Sequence, residues 1–493
     1  MMFAIATIHR AESINRLSMA AAFLLVLTLS GCANFSGIET TATLRTPASV
    51  GATPVAIEFP SDRWWLKFND ALLTSLIDAA LSGNPTLAIA KTRADKAALG
   101  VELVRANTMP QVGGSADATR QRYTANGIIP PPLAGADATT ATIQATASWE
   151  IDFFGKNQRA VQAALGTARA SEIDLQAARV LLANMVTRNY VQLARLLEQR
   201  RLATATLQQR EQVVSLIRQR VDAGLDTNVD LRQGEGAIPE TRGQIEALNE
   251  QIALTRNALT TLSASPAEAI NAMQPQLNAL HLQSLPAAVP SELVARRADL
   301  SAARWRVEAA LSDVAVAKTE FYPSINLVGF AGLSSIGLDR LFQGHSLQYG
   351  IGPSLRLPIF DAGRLRINLK SKTLDFDAAV ETFNATLIEA IHEVGDQLIS
   401  IQSIDRQITE QQAALASAVS AYDLSLQRYR AGLGTYLHVL SAETAVITQR
   451  RAGADLRARA IDSQVQLIRA LGGGFATADT PVASAAALPK NDK

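Results

Sequence analysis

The residues that could carry chemistry in this chain are its histidines and a few glycine-containing stretches. The five histidines are His9, His281, His345, His392 and His438. None has a second histidine four residues away, which is the spacing of a helical zinc site. Gly472-Gly473-Gly474 lacks the Lys-Ser/Thr pair of a phosphate loop, and the stretch around His345 lacks the glycines of a nucleophile elbow. The sequence therefore predicts no catalytic centre, metal site or cofactor, and hence no enzyme.

The chain has one cysteine, Cys32, whose surroundings are typical of a secreted lipoprotein. An apolar run over residues 19–29 follows two arginines and is too short to be a mature membrane helix. Ser30 and Gly31 stand directly before the cysteine, as in the bacterial lipobox that this stretch resembles. The pattern predicts a signal peptide over 1–31 and a lipid on the Cys32 thiol. An ordinary signal peptide before a buried free cysteine is the alternative.

Both ends of the mature chain are expected to lie outside the folded body. Residues 32–58 are rich in Thr, Ala and Pro, which favours an acylated tether. In such a lipoprotein, Ala33 rather than an aspartate after the cysteine favours sorting to the outer membrane. Residues 476–493 are expected to form a flexible C-terminal tail.

The charge balance argues against a nucleic-acid partner. Forty-six Lys and Arg oppose 45 Asp and Glu, so the formal net charge is only +1. After the cysteine, no segment offers the eighteen or so uninterrupted apolar residues that a membrane helix needs. Any part of the mature chain that spans a membrane is therefore expected to do so as strands.

The sequence contains an internal repeat at an offset of 208 residues. Arg220–Thr227 aligns with Arg428–Thr435, and five of the eight positions match. We therefore predict two structural repeats, 59–265 and 266–475. Each repeat is expected to contain a helix, a β-hairpin and a long helical hairpin.

Two long helices are predicted, over 157–223 and 363–431. Neither stretch contains a proline, so each can be helical for on the order of 100 Å. Apolar residues of the second recur mostly at spacings of three and four, at Val380, Phe383, Leu387, Ile391, Val394, Leu398, Ile401 and Ile408. This spacing is typical of coiled coils, although a solvated stalk dimer would also show it. Gly224 and Gly432 are expected to end these helices at the tips of two helical hairpins.

Four strands are predicted between the helices. Residues 143–153 and 347–359 alternate between apolar and polar side chains, which indicates strands with one face of each kind. Weaker alternation at about 112–122 and 324–335 predicts a partner strand for each. Two β-hairpins result, 112–153 and 324–360. Strands of this length suit a barrel that spans lipid around water, and a half-buried sheet on a soluble core is the alternative.

Four strands cannot close a barrel, and open edges in hydrocarbon cost several kcal/mol for each unpaired backbone group. The chain is therefore expected to contribute to a shared barrel. Two copies would supply eight strands, whose interior is filled by side chains, whereas three copies would supply twelve and leave a lumen. A conduit favours three copies.

Several motifs in a fixed order carry a family resemblance. They are Trp64-Trp65, Asn84-Pro85, Ser148–Lys156, Phe321-Tyr322-Pro323, Leu357–Arg364, Arg428–Gly432 and Leu471–Gly474. Together, over residues 64–475, they resemble the TolC-like outer-membrane factors. The specific similarity is to the lipoprotein (NodT/OprM-like) branch that serves resistance-nodulation-division (RND) efflux pumps.

The resemblance implies a mainly α fold with membrane β-strands. Four strands and long coiled-coil helices per protomer would form a homotrimer, with a twelve-stranded outer-membrane β-barrel continued by a twelve-helix periplasmic α-barrel. A periplasmic adaptor, an inner-membrane RND transporter and outer-membrane lipid are the implied partners. The chain would then be the passive exit duct of a tripartite pump for small molecules such as drugs. The exit duct of a type I secretion system and a coiled-coil envelope lipoprotein without a pore are the alternatives.

The resemblance also assigns roles to residues near both tips. Adaptor docking is expected at Arg220, Gly224, Leu225, Arg428, Gly432 and Leu433, and the periplasmic gate at Thr435, Leu437, Ser441 and Thr444. Relatives with a characterised gate often carry an acid and a base where this chain has Ser441 and Thr444. We therefore expect a gate that depends on Leu437 packing. The competing expectation is that Asp226, Asp230 or Glu443 supplies the missing acidic ring.

Overall fold

The protein is described by a computed structural model over residues 34–51, 59–280 and 296–475. The predicted signal peptide, Cys32 and the C-terminal tail lie outside these residues. Within the described ranges, no helix combines the length and apolarity needed to cross a membrane.

Eight α-helices lie in the described part of the chain. They are α1 (Ala71–Gly83), α2 (Pro85–Asn107), α3 (Lys156–Asp222), α4 (Asn228–Ser263), α5 (Ala267–Asn271), α6 (Ala298–Thr319), α7 (Arg364–Arg430) and α8 (Tyr436–Ala470). Helices α3 and α7 are 67 residues each, so each runs for ~100 Å. Helix α7 starts and ends 208 residues after α3, which is the offset of the sequence repeat.

The apolar stripe predicted for α7 is largely buried. Val380, Leu387 and Val394 are at most 1% exposed. Farther along, Ile401 is only half-buried and Ile404 is buried instead. A helix drifts relative to a fixed heptad, so its buried stripe shifts position over this length.

The four strands are antiparallel and form one sheet in chain order. They are β1 (Gln111–Arg122), β2 (Asp137–Ile151), β3 (Ser324–Ile336) and β4 (Leu347–Arg356). Pairing of β2 with β3 joins the two hairpins, and it places Ile143 opposite Leu333 and Ala145 opposite Ala331. The confirmed fold class is thus long helices with four strands.

The strand register separates an apolar face from a polar one. Ile143, Leu333 and Leu347 align across three strands, as do Trp149, Leu327 and Pro353. The opposite face carries Gln144, Thr146, Ser148, Asn326, Ser334, Gln348 and Ser354. Val328 and Phe330 are the apolar exceptions on that face. Phe330 covers Gly350, where an added Cβ would lie 2.8 Å from the ring.

The chain divides into two compact units, and each draws on both repeats. One contains Asp95–Ala170 and Arg304–Thr382 with the described residues up to Leu44, and it holds the sheet. The other contains Arg45–Ala94, Ser171–Ala303 and the chain from Phe383 onward, and it holds the main helical core and both tip turns.

The motifs of the first repeat build that helical core. Trp64 and Phe68 are at most 1% exposed and belong to its largest apolar cluster. Asp70 accepts hydrogen bonds from the Leu72 and Leu73 amides, which caps α1, and from the Tyr190 hydroxyl at 2.8 Å. These short motifs are therefore explained by capping and burial.

The glycine run at 472–474 ends α8 in a crowded crossing. All three residues have positive φ, and a Cβ on each would collide with a neighbouring segment. The collisions would be with the Arg296 carbonyl oxygen at 1.8 Å, Val180 at 2.3 Å and the Ser61 carbonyl oxygen at 2.0 Å. The run is therefore a helix stop that also permits three close contacts.

A buried ion-pair network lies beside this crossing. Arg297, 5% exposed, pairs with Asp299 at 2.6 Å and with Glu393 at 2.8 Å, and it donates to the Ala470 carbonyl. Arg469 also donates to Glu393. Burial opposes ionisation of Glu393, but the hydrogen bonds from Arg297 and Arg469 outweigh it and lower the pKa of this carboxyl.

This network is expected to make stability fall in acid. The folded chain keeps Glu393 ionised to lower pH than the unfolded chain does. Its stabilisation is therefore complete above the ordinary glutamate pKa and is lost as the pH falls through the folded-state pKa. The thermal midpoint should drop more steeply from about pH 5 to about pH 3 in the wild type than in Glu393→Gln. Glu211→Gln, which removes an exposed pair with Arg242, should keep the wild-type slope; equal slopes in all three proteins would contradict the prediction.

Candidate functional site at the helical tips

The two helical hairpins turn with the same backbone geometry. Gly224 and Gly432 have φ of 73° and 76°. The Leu225 amide donates to the Arg220 carbonyl, and the Leu433 amide donates to the Arg428 carbonyl, both at 2.8 Å. This is the glycine-dependent Schellman ending of a helix, so the repeated Ala-Gly-Leu segment forms both tips.

A clamp of three side chains ties the first tip turn to the end of α7. The Arg220 guanidinium pairs with Asp226 at 2.9 Å and lies over the Tyr429 ring at 4.6 Å. The Tyr429 hydroxyl donates to the same carboxylate. Burial and the Asp226 carboxylate raise the pKa of Tyr429, so the phenol stays protonated and remains a donor.

A second pair, also buried, joins α3 to α8. Arg210 donates to Glu443 at 3.0 Å, and the two side chains are 10% and 7% exposed. The same guanidinium donates to the Ala237 carbonyl and the Thr241 hydroxyl. Burial raises the pKa of Glu443, against the opposing effect of Arg210. Glu443 lies on the buried face of α8 with Tyr436, Val439 and Val446. This helical spacing relative to apolar residues is the feature of the sequence that indicates its burial.

The three acidic residues considered for an alternative gate all make contacts within the protomer. Glu443 is buried against Arg210, and Asp226 is held in the tip clamp. Asp230 accepts from the Thr227 amide and hydroxyl in a capping box that starts α4. These three carboxylates are therefore engaged within the chain.

Three of the predicted gate residues share one exposed face of α8. Leu437, Ser441 and Thr444 lie there at helical spacing, and Thr435 is the exposed N-cap of the helix. Leu437 is 59% exposed and is the one apolar side chain of this set.

The predicted docking residues divide into two groups. Leu225 and Leu433 are 66% and 71% exposed at the turn glycines, and Arg428 is exposed as well. Arg220 differs, because its guanidinium is engaged by Asp226 and Tyr429 and only 12% of its side chain is exposed. Arg220 is thus placed to hold the turn that presents Leu225.

In the described residues, the segment after Cys32 is held against the sheet-containing unit. Arg366 donates to the Asn34 and Ser36 carbonyls at 2.6 and 2.8 Å, and Asp377 accepts from the Thr41 amide and hydroxyl. The Phe35 ring meets Phe321 edge-on at 5.1 Å. We call residues 34–42 the strap. The start of the predicted tether is therefore specifically bound, a feature that its composition did not reveal.

Arg366→Gln is expected to loosen the strap, because the shorter amide cannot make both hydrogen bonds. Trypsin cleavage after Arg45 should become roughly tenfold faster, which corresponds to losing one charge-assisted bond. Lys370→Gln, on the exposed side of the same helix, should cleave at the wild-type rate. An unchanged rate in Arg366→Gln would show that Asp377 and the aromatic contacts hold the strap without Arg366.

A sheet with one apolar face and two open edges, together with two long helical hairpins, defines a protomer of a membrane channel with a helical extension. The chain belongs to the outer membrane efflux protein family, whose model matches residues 76–265 and 289–473. It is an efflux channel of the outer membrane, as the sequence motifs predicted, and its family and fold are those of channels.

Two curated relatives cover most of the chain. The multidrug resistance outer membrane protein MdtQ of Escherichia coli is 31% identical over 471 residues, which is 92% of this chain and 98% of the relative. The multidrug resistance outer membrane protein MdtP of Shigella flexneri is 31% identical over 429 residues, covering 85% and 88%. The solved structure of the outer membrane protein VceC from Vibrio cholerae matches with a TM-score of 0.79 at 33% identity. It covers 85% of this chain and all of that one.

Proposed function

We propose that three copies of this chain form a continuous duct through which small molecules leave the periplasm passively. The observation that carries this proposal is the sheet: β1 and β4 are its two edges, and one face is apolar across neighbouring strands. Ile351 and Tyr349 of β4 are 80% and 78% exposed within the protomer. Pairing β4 of one copy with β1 of the next removes the open edges and turns these side chains to lipid.

The helical tips are the proposed site of a periplasmic adaptor, with an inner-membrane RND transporter behind it. Leu225, Leu433 and Arg428 are exposed there, and apolar tips with a basic neighbour suit a protein interface. Acylation of Cys32 would then fasten the strap to the outer membrane. The names of the two curated relatives support drugs as the cargo class over the polypeptides of a type I secretion system.

The duct is tested with purified full-length protein. We expect a heat-sensitive trimer in mild detergent, single-channel current in planar bilayers, and drug resistance in an efflux-deficient strain that also expresses an adaptor and a transporter. Cys32→Ser should lose palmitate labelling but keep the current. A monomeric protein without current would overturn the proposal.

The gate depends on packing, so Leu437→Ala is expected to raise the resting conductance several-fold. The ratio of the variant's conductance to that of the wild type should change little with salt concentration. A gate held by exposed charges would instead open further as ionic strength rises. Ser441→Ala, which removes a hydroxyl from the same surface, should leave conductance within twofold of the wild type. No change in Leu437→Ala would place the constriction elsewhere.

A further inference from the structure

A cavity of about 690 Å³ lies on α3, beside residues 274–278, a loop that runs into the short 3-10 helix Leu277–Ala279. Arg200, Arg201 and Gln208 line it from the helix. Gln274, Gln276 and Asn278 line it from the segment, and these three are exposed while Pro275 and Leu277 between them are buried. The cavity is therefore bordered by arginines on one side and amides on the other.

The positive charge in this cavity is only partly neutralised. Arg201 pairs with Glu198, another lining residue, at 2.6 Å. Arg200 donates only to the Asn249 side chain, at 3.4 Å, and within the described residues it has no carboxylate at ion-pair distance. One guanidinium thus borders the cavity without a counter-charge.

Arg256 of α4 carries a second positive charge that, within the described residues, has no carboxylate at ion-pair distance. It donates to the Met273 carbonyl at 3.2 Å, while its Nε is buried and has no acceptor among the described residues. Burial lowers the pKa of Arg256, and the like charge of Arg200 lowers it further. Two guanidiniums that repel each other and have no acid cost the folded chain free energy that a bound anion would recover.

The loop at 274–278 is itself held in place by an arginine. Arg457 of α8 donates to the Leu277 and Asn278 carbonyls, both at 3.2 Å. The amide side of the cavity is thus pre-positioned, as a binding groove for an extended ligand requires.

We propose that this cavity is a docking site for an acidic segment of a partner protein, with neighbouring carboxylates held by Arg200 and by the positive field of Arg256. The cavity is larger than a simple ion and within the size range of ligand sites. Its amides suit a peptide backbone. None of the lining residues is aromatic, so the cavity offers no ring on which a wall sugar could stack. The site extends beyond transport through the duct, because it concerns assembly with another protein.

Binding can be measured with the full-length protein in detergent and a fluorescent five-residue glutamate peptide, by anisotropy. We expect Arg200→Gln to weaken binding by roughly tenfold or more, as for loss of a charge-assisted hydrogen bond. Arg256→Gln should weaken it less, since that side chain acts through the field. Arg218→Gln, on the same helix and paired with Glu235 at the surface, should bind as the wild type does.

Three results would overturn the proposal. They are a Kd for folded Arg200→Gln within twofold of the wild type, equal binding of a five-residue lysine peptide, and tighter binding of soluble cell-wall fragments than of the glutamate peptide. The thermal midpoint of each variant tests folding, and Arg256→Gln serves as the second variant if Arg200→Gln unfolds. Bilayer current should be unchanged in both, so failure here is separable from failure of the duct.

Discussion

Gly472→Ala is expected to destabilise the protein by at least about 3 kcal/mol, because a strained backbone and a steric collision add together. Gly472 has φ of 102°, and its new Cβ would lie 1.8 Å from the Arg296 carbonyl oxygen. A backbone carbonyl cannot rotate away as a side chain can. The end of α8 would therefore have to move from the buried Arg297 network that it contacts through Ala470.

Two matched variants separate the causes. Gly155 also has positive φ, but a Cβ there meets nothing within 4 Å, so Gly155→Ala should cost only about 1 kcal/mol of strain. Gly395 lies inside α7 with open space around it, so its replacement by alanine should be neutral or stabilise by up to about 1 kcal/mol. Thermal unfolding followed by circular dichroism ranks the stabilities of the three variants. Equal midpoints for Gly472→Ala and Gly155→Ala would show that the backbone around Gly472 moves at little cost in free energy.

Glu443→Gln is expected to cost about 3 kcal/mol and to loosen the tips, because it leaves the buried Arg210 without its buried counter-charge. Arg210 keeps the Ala237 carbonyl and Thr241 hydroxyl as neutral acceptors. Its remaining carboxylate, Glu240, is 3.9 Å away and 66% exposed, so solvent screens it. Since this pair joins α3 to α8, amide hydrogen exchange at the start of α8 should accelerate. Under the proposed function, the resting current should also rise.

A double variant tests whether the unpaired charge of Arg210 causes the loss of stability in Glu443→Gln. Arg210→Met with Glu443→Leu removes both charges together and should recover most of the stability lost in either single variant. Arg218→Gln breaks an exposed pair, in which Arg218 is 61% accessible, and should cost at most about 0.5 kcal/mol. If the double variant is as unstable as Glu443→Gln, the hydrogen bonds and not the charge pairing hold this part of the tip.

The positions of the two tip turns could be predicted from the sequence, whereas the ion pairs beside them could not. The Ala-Gly-Leu repeat located both turns, because a glycine requirement is local to the backbone. The burial of Asp226 and Glu443 depends on residues more than two hundred positions away, Tyr429 and Arg210 respectively. Sequence proximity to the tips suggested an acidic ring, and the structure pairs Asp226 and Glu443 with arginines of the same chain instead.

The sequence by itself determined the elements and their repetition, because hydrophobic period, proline absence and turn glycines act over a few residues. Alternation at 143–153 and 347–359 predicted strands, and the stripe in α7 predicted a packed helix. Only the tertiary structure decided how β2 pairs with β3, that Arg366 binds the strap, and that Arg200 and residues 274–278 line one cavity. These features join side chains that are distant in sequence, and no local period records such pairs.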